Sequence, residues 1–223
     1  MKDSNHKKVA VVLSGCGSRD GSEITEAVST IIALSEAGAK YVCFAPNENF
    51  TVVSHNRPDV DIHEQRNMMT EAARIARGEI HDIRELREKD FDAVVFPGGY
   101  GAATHLSSWA KEGANARVHP EVSRIITEFH KAAKPVGAIC IAPTLIAKTL
   151  GAEGVNLTIG EDLATSKEIE KTGAHHVKCL VNDYVSDRDH KVLTTPAYMC
   201  SGARPHEIFT GIRKLVRELV EMA

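Results

Sequence analysis

A cysteine stands between a predicted strand and a predicted helix in the stretch "VGAICIAPTLIA", residues 136–147. Alanines lie two positions before and two positions after Cys140, and small neighbours of this kind allow the sharp turn that raises a nucleophile above a sheet. A thiol there precedes a helix N-terminus, where backbone N–H groups favour the thiolate. The stretch predicts a nucleophile at Cys140, and a buried, inert cysteine is the alternative.

A glycine-rich turn follows the first apolar strand in "VVLSGCGSRDGSE", residues 11–23. A dinucleotide-binding loop is the first interpretation to weigh, because its fingerprint is G-x-G-x-x-G with an acid at the end of the next strand. Here the third glycine, Gly21, falls one residue late after Gly15 and Gly17, and the next strand ends in "FAP" without an acid. Both differences count against a nucleotide site.

The same turn delivers a carboxylate, and a second glycine loop offers backbone amides. Glu23 stands at a predicted helix start, where the helix dipole alone would favour an acid. As a partner of Cys140, it would instead hold the thiol and move a proton. Phe96–Gly101, "FPGGYG", follows another strand and can present bare N–H groups to a developing oxyanion.

The elements that must position these residues alternate between strands and helices, which predicts an α/β fold whose parallel sheet is covered on both faces. Without a repeat, low-complexity run or linker, residues 1–223 are expected to form one domain. The main strands are predicted at Val9–Leu13, Tyr41–Ala45, Ala93–Phe96 and Val136–Ile139. A short extension or hairpin is expected at Phe50–His55, and short strand candidates lie at Leu157–Ile159, Val177–Leu180, Tyr184–Ser186 and Val192–Thr194. Helices are predicted at Glu23–Ala37, Asn67–Arg77, Glu121–Ala133, Pro143–Leu150 and Pro205–Met222.

Composition excludes several classes of function. The net charge of -3 gives no electrostatic basis for binding nucleic acid, and no apolar run reaches the roughly 18 residues that cross a bilayer. The start, "MKDSNHKK", is polar and has no apolar signal region, so a cytoplasmic location is expected. The 5 cysteines are odd in number and lack a C-x-x-C, which argues against a disulfide framework and against structural zinc.

Several long motifs together resemble the PfpI-like branch of the class I glutamine-amidotransferase-like superfamily, and within it the ElbB type of isoprenoid-biosynthesis glyoxalase-like proteins. The resemblance covers nearly the whole chain and implies a flavodoxin-like three-layer α/β/α sandwich with a mostly parallel sheet, often in a homodimer. The motifs, in chain order, are "LSGCGSRDGSEITEAV", "CFAP", "RNMMTEAARIARGEI", "VVFPGGYGAATHLS", "CIAP", "LTIGED" and "TTPAYM".

The resemblance also implies roles for particular residues. The nucleophilic cysteine of the family maps onto Cys140 and its active-site glutamate onto Glu23, with oxyanion amides at Gly98, Gly99 and Ile141. Many relatives carry a histidine directly after the nucleophile, where this chain has isoleucine. The local Cys–His dyad is therefore missing, which argues against proteolysis and against fast turnover.

These features lead to a hypothesis of glutathione-independent glyoxalase chemistry, in which a small dicarbonyl such as glyoxal or methylglyoxal becomes a 2-hydroxy acid through a hemithioacetal on Cys140. The reaction needs no metal and no redox cofactor. The alternatives are a redox or stress sensor, with Cys16 as resolving thiol, and a catalytically weak protein that binds a metabolite. His105 follows the glycine loop and is expected either in the pocket or at a subunit interface, as is Trp109.

Two other sets of residues resemble functional sites without matching their geometry. His206 and Glu207 are adjacent, so on a helix their side chains diverge by about 100° and do not form an amidotransferase triad. His175, His176 and Cys179 contain metal-ligand types, but the preceding "GA" predicts a surface turn.

Overall fold

The computed structural model describes residues 6–57 and 59–223, so the first five residues of the polar start lie outside the described part. Its strands are β1 (Lys8–Val12), β2 (Lys40–Ala45), β3 (Asn49–Thr51), β4 (Gln65–Asn67), β5 (Ile80–Asp82), β6 (Ala93–Phe96), β7 (Val136–Ile139), β8 (Asn156–Leu157), β9 (His175–His176), β10 (Val185–Asp187) and β11 (Val192–Thr195). Its α-helices are α1 (Ile24–Glu36), α2 (Met68–Ala72), α3 (Tyr100–Thr104), α4 (Trp109–Glu112), α5 (Pro120–Lys131), α6 (Pro143–Leu150), α7 (Leu163–Glu170) and α8 (Pro205–Met222).

The central sheet has seven strands in the order β10-β11-β7-β6-β1-β2-β5. Every pairing in it is parallel except that of β10 with β11. The strands β6, β7 and β11 are buried along their whole length, as expected of a parallel sheet that helices cover on both faces. This mostly parallel sheet confirms the flavodoxin-like α/β fold.

Helices form the two outer layers. Along β1, Val9 and Val11 face one apolar core while Ala10 and Val12 face the other, because successive side chains of a strand point to opposite sides. The first core is completed by α1 and α8, and the second by α5 and α6. The predicted three-layer α/β/α arrangement is therefore confirmed.

Several of the shorter elements differ from the prediction. The helix predicted at Asn67–Arg77 ends at Ala72, because tighter turns follow and the chain reaches positive φ at Arg77 and Gly78. The strand predicted at Val177–Leu180 does not form, and both of its ends are exposed. Conversely, the edge strand β5 escaped prediction because its sequence, "IHD", is short and polar.

The carboxyl ends of β1, β6 and β7 lie side by side, because β6 pairs with both β1 and β7. Their loops are joined by backbone hydrogen bonds, from Glu23 N to Gly98 O at 2.9 Å and from Tyr100 N to Ser18 O at 2.8 Å. The sheet therefore brings the glycine-rich turn, the "FPGGYG" loop and the Cys140 turn to one edge, which is where ligands bind in open α/β sheets.

Candidate functional site

Cys140 occupies a strained turn directly after β7. Its φ of 62° lies in the left-handed region, which a residue with a side chain enters at a cost of about 1–3 kcal/mol. The backbone N–H of Cys140 donates to Thr195 O at 2.9 Å, and the neighbouring Ala138 and Ala142 are fully buried. Small side chains therefore permit the turn predicted from the sequence, and the packed surroundings hold the sulfur in one place.

A buried carboxyl from α1 lies against this thiol, and it belongs to Glu26. Its Oε1 accepts from the N–H of Tyr198 at 3.4 Å, while Oε2 has no well-aligned donor among the described residues and faces the sulfur. A Cβ added at Gly98 would lie 2.4 Å from both the Cys140 Cβ and the Glu26 Oε2. Only glycine at position 98 leaves room for the two side chains to meet.

Burial and mutual charge control the titration of these two groups. Burial, reinforced by the charge of Glu23, raises the pKa of Glu26 to about 8. Burial also raises the pKa of Cys140, and the charge of Glu26 raises it further. At neutral pH both groups therefore mainly keep their protons, so the prediction of a thiolate stabilised by the helix N-terminus was wrong for the resting protein.

Backbone amides converge on the same two side chains. The N–H groups of Gly99 and Ile141 donate to the Cys140 sulfur and lower its pKa, which partly offsets burial. The N–H of Gly98 serves the Glu26 carboxyl instead, so this third predicted oxyanion amide is directed elsewhere. Two N–H donors thus favour negative charge on the sulfur, which is the nucleophilic form of the thiol.

Glu23 has a different position from the one predicted. Its carboxylate caps α1, with Oε2 accepting from the N–H of Glu26 at 2.7 Å, and burial raises its pKa while backbone donors oppose the rise. The acid that interacts with Cys140 is Glu26, which lies one helical turn further along. The spacing i, i+3 on a predicted helix places both acids on one face, and this signal could have identified the second.

A hollow of about 430 Å³ opens beside Cys140, and we call it the thiol hollow. It is large enough for a small organic ligand. It is lined by Ser18, Glu23, Gly99, Tyr100, Cys140, Ile141, Thr165, Tyr198 and Met199.

Cys16 and His105, expected as pocket or redox neighbours, do not line the thiol hollow. Cys16 lies half-buried in its own loop, where burial raises its pKa and the nearest charges are Arg74 and Asp20. His105 turns back to the same loop, with Nε2 3.0 Å from Asp20 O and its ring 4.9 Å from that of Phe50. The ring of His105 therefore contacts the glycine-rich turn and Phe50 instead of the thiol hollow.

The thiols that influence one another are also different from those expected. Cys200 lies close enough to Cys179 for its negative charge to raise the pKa of Cys179. Burial and the charge of Asp183 raise that pKa as well, and it reaches about 11. The resolving role suggested for Cys16 therefore has no geometric support at Cys140.

The glycine-rich turn after β1 is closed by its own hydrogen bonds. Gly17 N donates to Ser22 O at 2.9 Å, Gly21 N donates to Gly17 O at 2.8 Å, and Ser14 N donates to Ser22 Oγ at 2.9 Å. A phosphate cradle needs such N–H groups free and aimed at the ligand. These three amides of the loop are used within it, which agrees with the departure of its sequence from the nucleotide fingerprint.

The remaining motifs have structural explanations. Glu207 forms a capping box with Arg204 at the start of α8, and their contact lowers the pKa of Glu207 to about 2. Among residues 6–57 and 59–223, no group of three or more His, Cys, Asp or Glu side chains is arranged to hold a metal ion. Within the same ranges, no helix is both long and apolar enough to cross a membrane.

Comparison with known proteins places this chain in a family. The chain is 44% identical to a human glutamine amidotransferase-like class 1 domain-containing protein 3, over 96% of this chain and 83% of that protein. It is 40% identical to an ES1 protein homolog of Rattus norvegicus, over 96% and 84% of the two chains. A crystal structure of an isoprenoid biosynthesis protein with an amidotransferase-like domain from Ehrlichia chaffeensis superposes with a TM-score of 0.90 and 37% identity, covering 97% of this chain and 99% of that one.

These relatives correct the expected location. Both the human and the rat protein are named as mitochondrial, so the prediction of a cytoplasmic protein was wrong. The resemblance inferred from the motifs is confirmed: the DJ-1/PfpI model matches residues 7–198, and the chain belongs to the DJ-1/PfpI family.

Proposed function

We propose that the chain is a glutathione-independent enzyme of the glyoxalase type, which converts α-oxoaldehydes to 2-hydroxy acids. One observation carries the proposal: the Cys140 thiol lines a hollow, a buried carboxyl contacts this thiol, and two backbone N–H groups point at the sulfur. A nucleophile, an acid–base group and oxyanion donors are the three parts that such a reaction needs.

In the first step the sulfur of Cys140 adds to the aldehyde carbon. A C–S bond forms, the π bond of the carbonyl opens, and the thiol proton moves to the carbonyl oxygen, which gives a hemithioacetal. The N–H groups of Gly99 and Ile141 stabilise the oxygen while it carries negative charge. Glu26 relays this proton: the protonated carboxyl gives its own proton to the carbonyl oxygen and takes the proton of the thiol as the C–S bond forms.

In the second step Glu26 moves a proton between adjacent carbons. It removes the proton from the carbon that carries sulfur and delivers a proton to the neighbouring ketone carbon, while the proton of the hemithioacetal hydroxyl passes to the ketone oxygen. The first carbon is thereby oxidised to a thioester and the second is reduced to an alcohol. Water then hydrolyses the thioester, which releases the 2-hydroxy acid and restores the thiol. The electrons balance within the substrate, and a pKa of about 8 suits a group that both takes and gives a proton near neutral pH.

The environment of Cys140 gives less support to a redox sensor. Oxidation of cysteine requires exposure and thiolate character, whereas Cys140 is 7% exposed and its pKa is raised by burial. A sensor would show stoichiometric oxidation of Cys140 under mild peroxide without any turnover of dicarbonyls, and peptide mass spectrometry can measure this.

The experiment that tests the proposal is an assay of lactate formed from methylglyoxal in the absence of glutathione. We expect the Cys140→Ala variant to lose activity to the level of the uncatalysed reaction. Cys200→Ala removes a thiol that does not line the thiol hollow and is the matched control, with near wild-type activity expected. Thermal unfolding of both variants excludes loss of fold. Lactate formation by Cys140→Ala at the wild-type rate would overturn the proposal.

A further inference from the structure

A second hollow adjoins the thiol hollow. Its volume is about 630 Å³, and it shares Tyr100, Ile141 and Thr165 with the thiol hollow as common walls. Part of its floor is the indole of Trp109, which is 7% exposed. We call it the lysine hollow because Lys111, Lys167 and Lys171 lie around it.

The charges around the lysine hollow are unbalanced. Its acid, Glu168, is already engaged, because it forms an ion pair with Lys171 and accepts from the N–H of Ala114 at 3.0 Å. The ammonium groups of Lys111 and Lys167 form neither a hydrogen bond nor an ion pair with any residue in the described ranges. Two positive charges therefore face the hollow without a partner from the protein.

The hollow on the other side of Tyr100 has the opposite character. It measures about 700 Å³ and includes Asp59, Asp61 and Arg19 in its lining. The two aspartates outnumber the single arginine, whose guanidinium also donates to Ser54 O at 3.2 Å. An anionic group bound near Cys140 would therefore be repelled on this side and attracted on the lysine side.

The space around Cys140 is large for the smallest dicarbonyls. A water molecule, with its one heavy atom, occupies about 30 Å³ of liquid. Methylglyoxal has only five heavy atoms and would fill only a few such volumes. The thiol hollow of about 430 Å³ thus leaves most of its volume unfilled, and the lysine hollow extends it further. Volume and charge together indicate a longer substrate with a negative end.

We propose that the lysine hollow binds the anionic end of the substrate, a carboxylate or a phosphate, through Lys111 and Lys167 while the aldehyde end reaches Cys140. The inference rests on the proposed function and names its substrate class: α-oxoaldehydes with a negatively charged group at the far end. Trp109 and Tyr100 would contact the part of the substrate that lies between its two ends.

The first test compares kcat/KM for methylglyoxal with kcat/KM for two longer α-oxoaldehydes, one ending in a carboxylate and one in a phosphate. We expect an anionic substrate to be preferred, and the Lys111→Gln/Lys167→Gln variant to lose about tenfold or more on it while methylglyoxal is unaffected. The two arms show which anion is bound. Lys7→Gln/Lys40→Gln makes the same charge change at the opposite edge of the sheet and should alter neither rate. Equal loss on charged and uncharged substrates would overturn the inference.

A second test needs no turnover. Peptide mass spectrometry follows the labelling of Cys140 by a negatively charged aromatic disulfide, 5,5′-dithiobis(2-nitrobenzoate), and by the neutral 2,2′-dithiodipyridine. We expect Lys111→Gln/Lys167→Gln to slow the charged reagent about tenfold and to leave the neutral one unchanged. If the variant slows only the charged reagent and the wild-type protein turns over no dicarbonyl, the anion site is supported and the proposed function is refuted. Identical effects on both reagents would refute the anion site.

Discussion

The carboxyl of Glu26 and the thiol of Cys140 face each other across Gly98, at the edge of the sheet where β1, β6 and β7 end. The charge of Glu26 raises the pKa of the buried Cys140 thiol, whereas the hydrogen bond from that thiol lowers the pKa of Glu26, which burial raises to about 8. They therefore titrate as one coupled system, which gives up its first proton near pH 8. The predictions below depend on this coupling.

The pH dependence of Cys140 alkylation should report the coupling. In the wild type we expect the rate with iodoacetamide to keep rising with pH beyond 9, the ordinary pKa of a thiol, because burial and the charge of Glu26 raise the pKa of Cys140. Glu26→Gln removes the carboxylate charge that raises the pKa of Cys140, so its profile should move to lower pH. Each unit of that shift gives about ten times more thiolate at neutral pH. The Glu26→Gln profile staying at the wild-type position, or moving to higher pH, would contradict the coupling.

Stability should also depend on pH through Glu26. Between about pH 4.5 and pH 8 the unfolded chain has lost this proton while the folded protein keeps it, so the free energy of unfolding falls as the pH rises. The slope from this group is at most about 1.4 kcal/mol per pH unit. Urea unfolding at a series of pH values should give a flatter profile for Glu26→Gln. Parallel profiles for the two proteins would show that Glu26 is not held protonated.

The left-handed turn at Cys140 predicts an unusual order of stability. Because φ is 62°, Cys140→Gly should unfold at higher temperature than Cys140→Ala, by about 1 kcal/mol in free energy. At Ala138, inside β7, a glycine should instead lower stability by about 0.5–1 kcal/mol. Differential scanning calorimetry of the three variants decides the matter, and a Cys140→Ala variant more stable than Cys140→Gly would exclude strain at this turn.

Gly98 provides a steric test of the pair. The methyl group of Gly98→Ala would lie 2.4 Å from atoms of both Cys140 and Glu26, so we expect the two side chains to be forced apart and turnover to fall about a hundredfold. Gly78→Ala is the control, since its φ of 89° strains the backbone but nothing lies within 4 Å of the added carbon. The control should lose about 1 kcal/mol of stability and keep its activity. Wild-type activity in Gly98→Ala would contradict the close contact.

Much of the fold could be predicted from sequence because its signals are local. Buried strands such as β6 and β7 are continuous apolar runs, and α5 and α8 carry apolar residues at helical spacing. The exceptions are short or edge elements, such as β5, where tertiary contacts decide and the residues are polar. The homodimer implied by the resemblance remains a prediction, which analytical ultracentrifugation can test.

The site was predictable in part. Cys140 could be identified because small residues and a strand–helix junction mark a nucleophile turn within one short stretch. Its acid partner could not be chosen from the sequence alone, because Glu23 and Glu26 stand at the start of α1 on the same face. Only the fold shows that Glu26 meets the thiol beside Gly98. The pKa of Cys140 was predicted in the wrong direction, since burial outweighs the amides of the turn.

The most direct measurement for the central claim is the rate of lactate formation from methylglyoxal by Glu26→Gln and by Glu23→Gln, assayed side by side. Glutamine at position 26 cannot move a proton between carbons, so we predict a loss of at least a hundredfold in kcat. Glutamine at position 23 can still accept the N–H of Glu26 as a helix cap, so we predict activity within about threefold of wild type. Activity that survives in Glu26→Gln but is lost in Glu23→Gln would contradict the assignment of the acid.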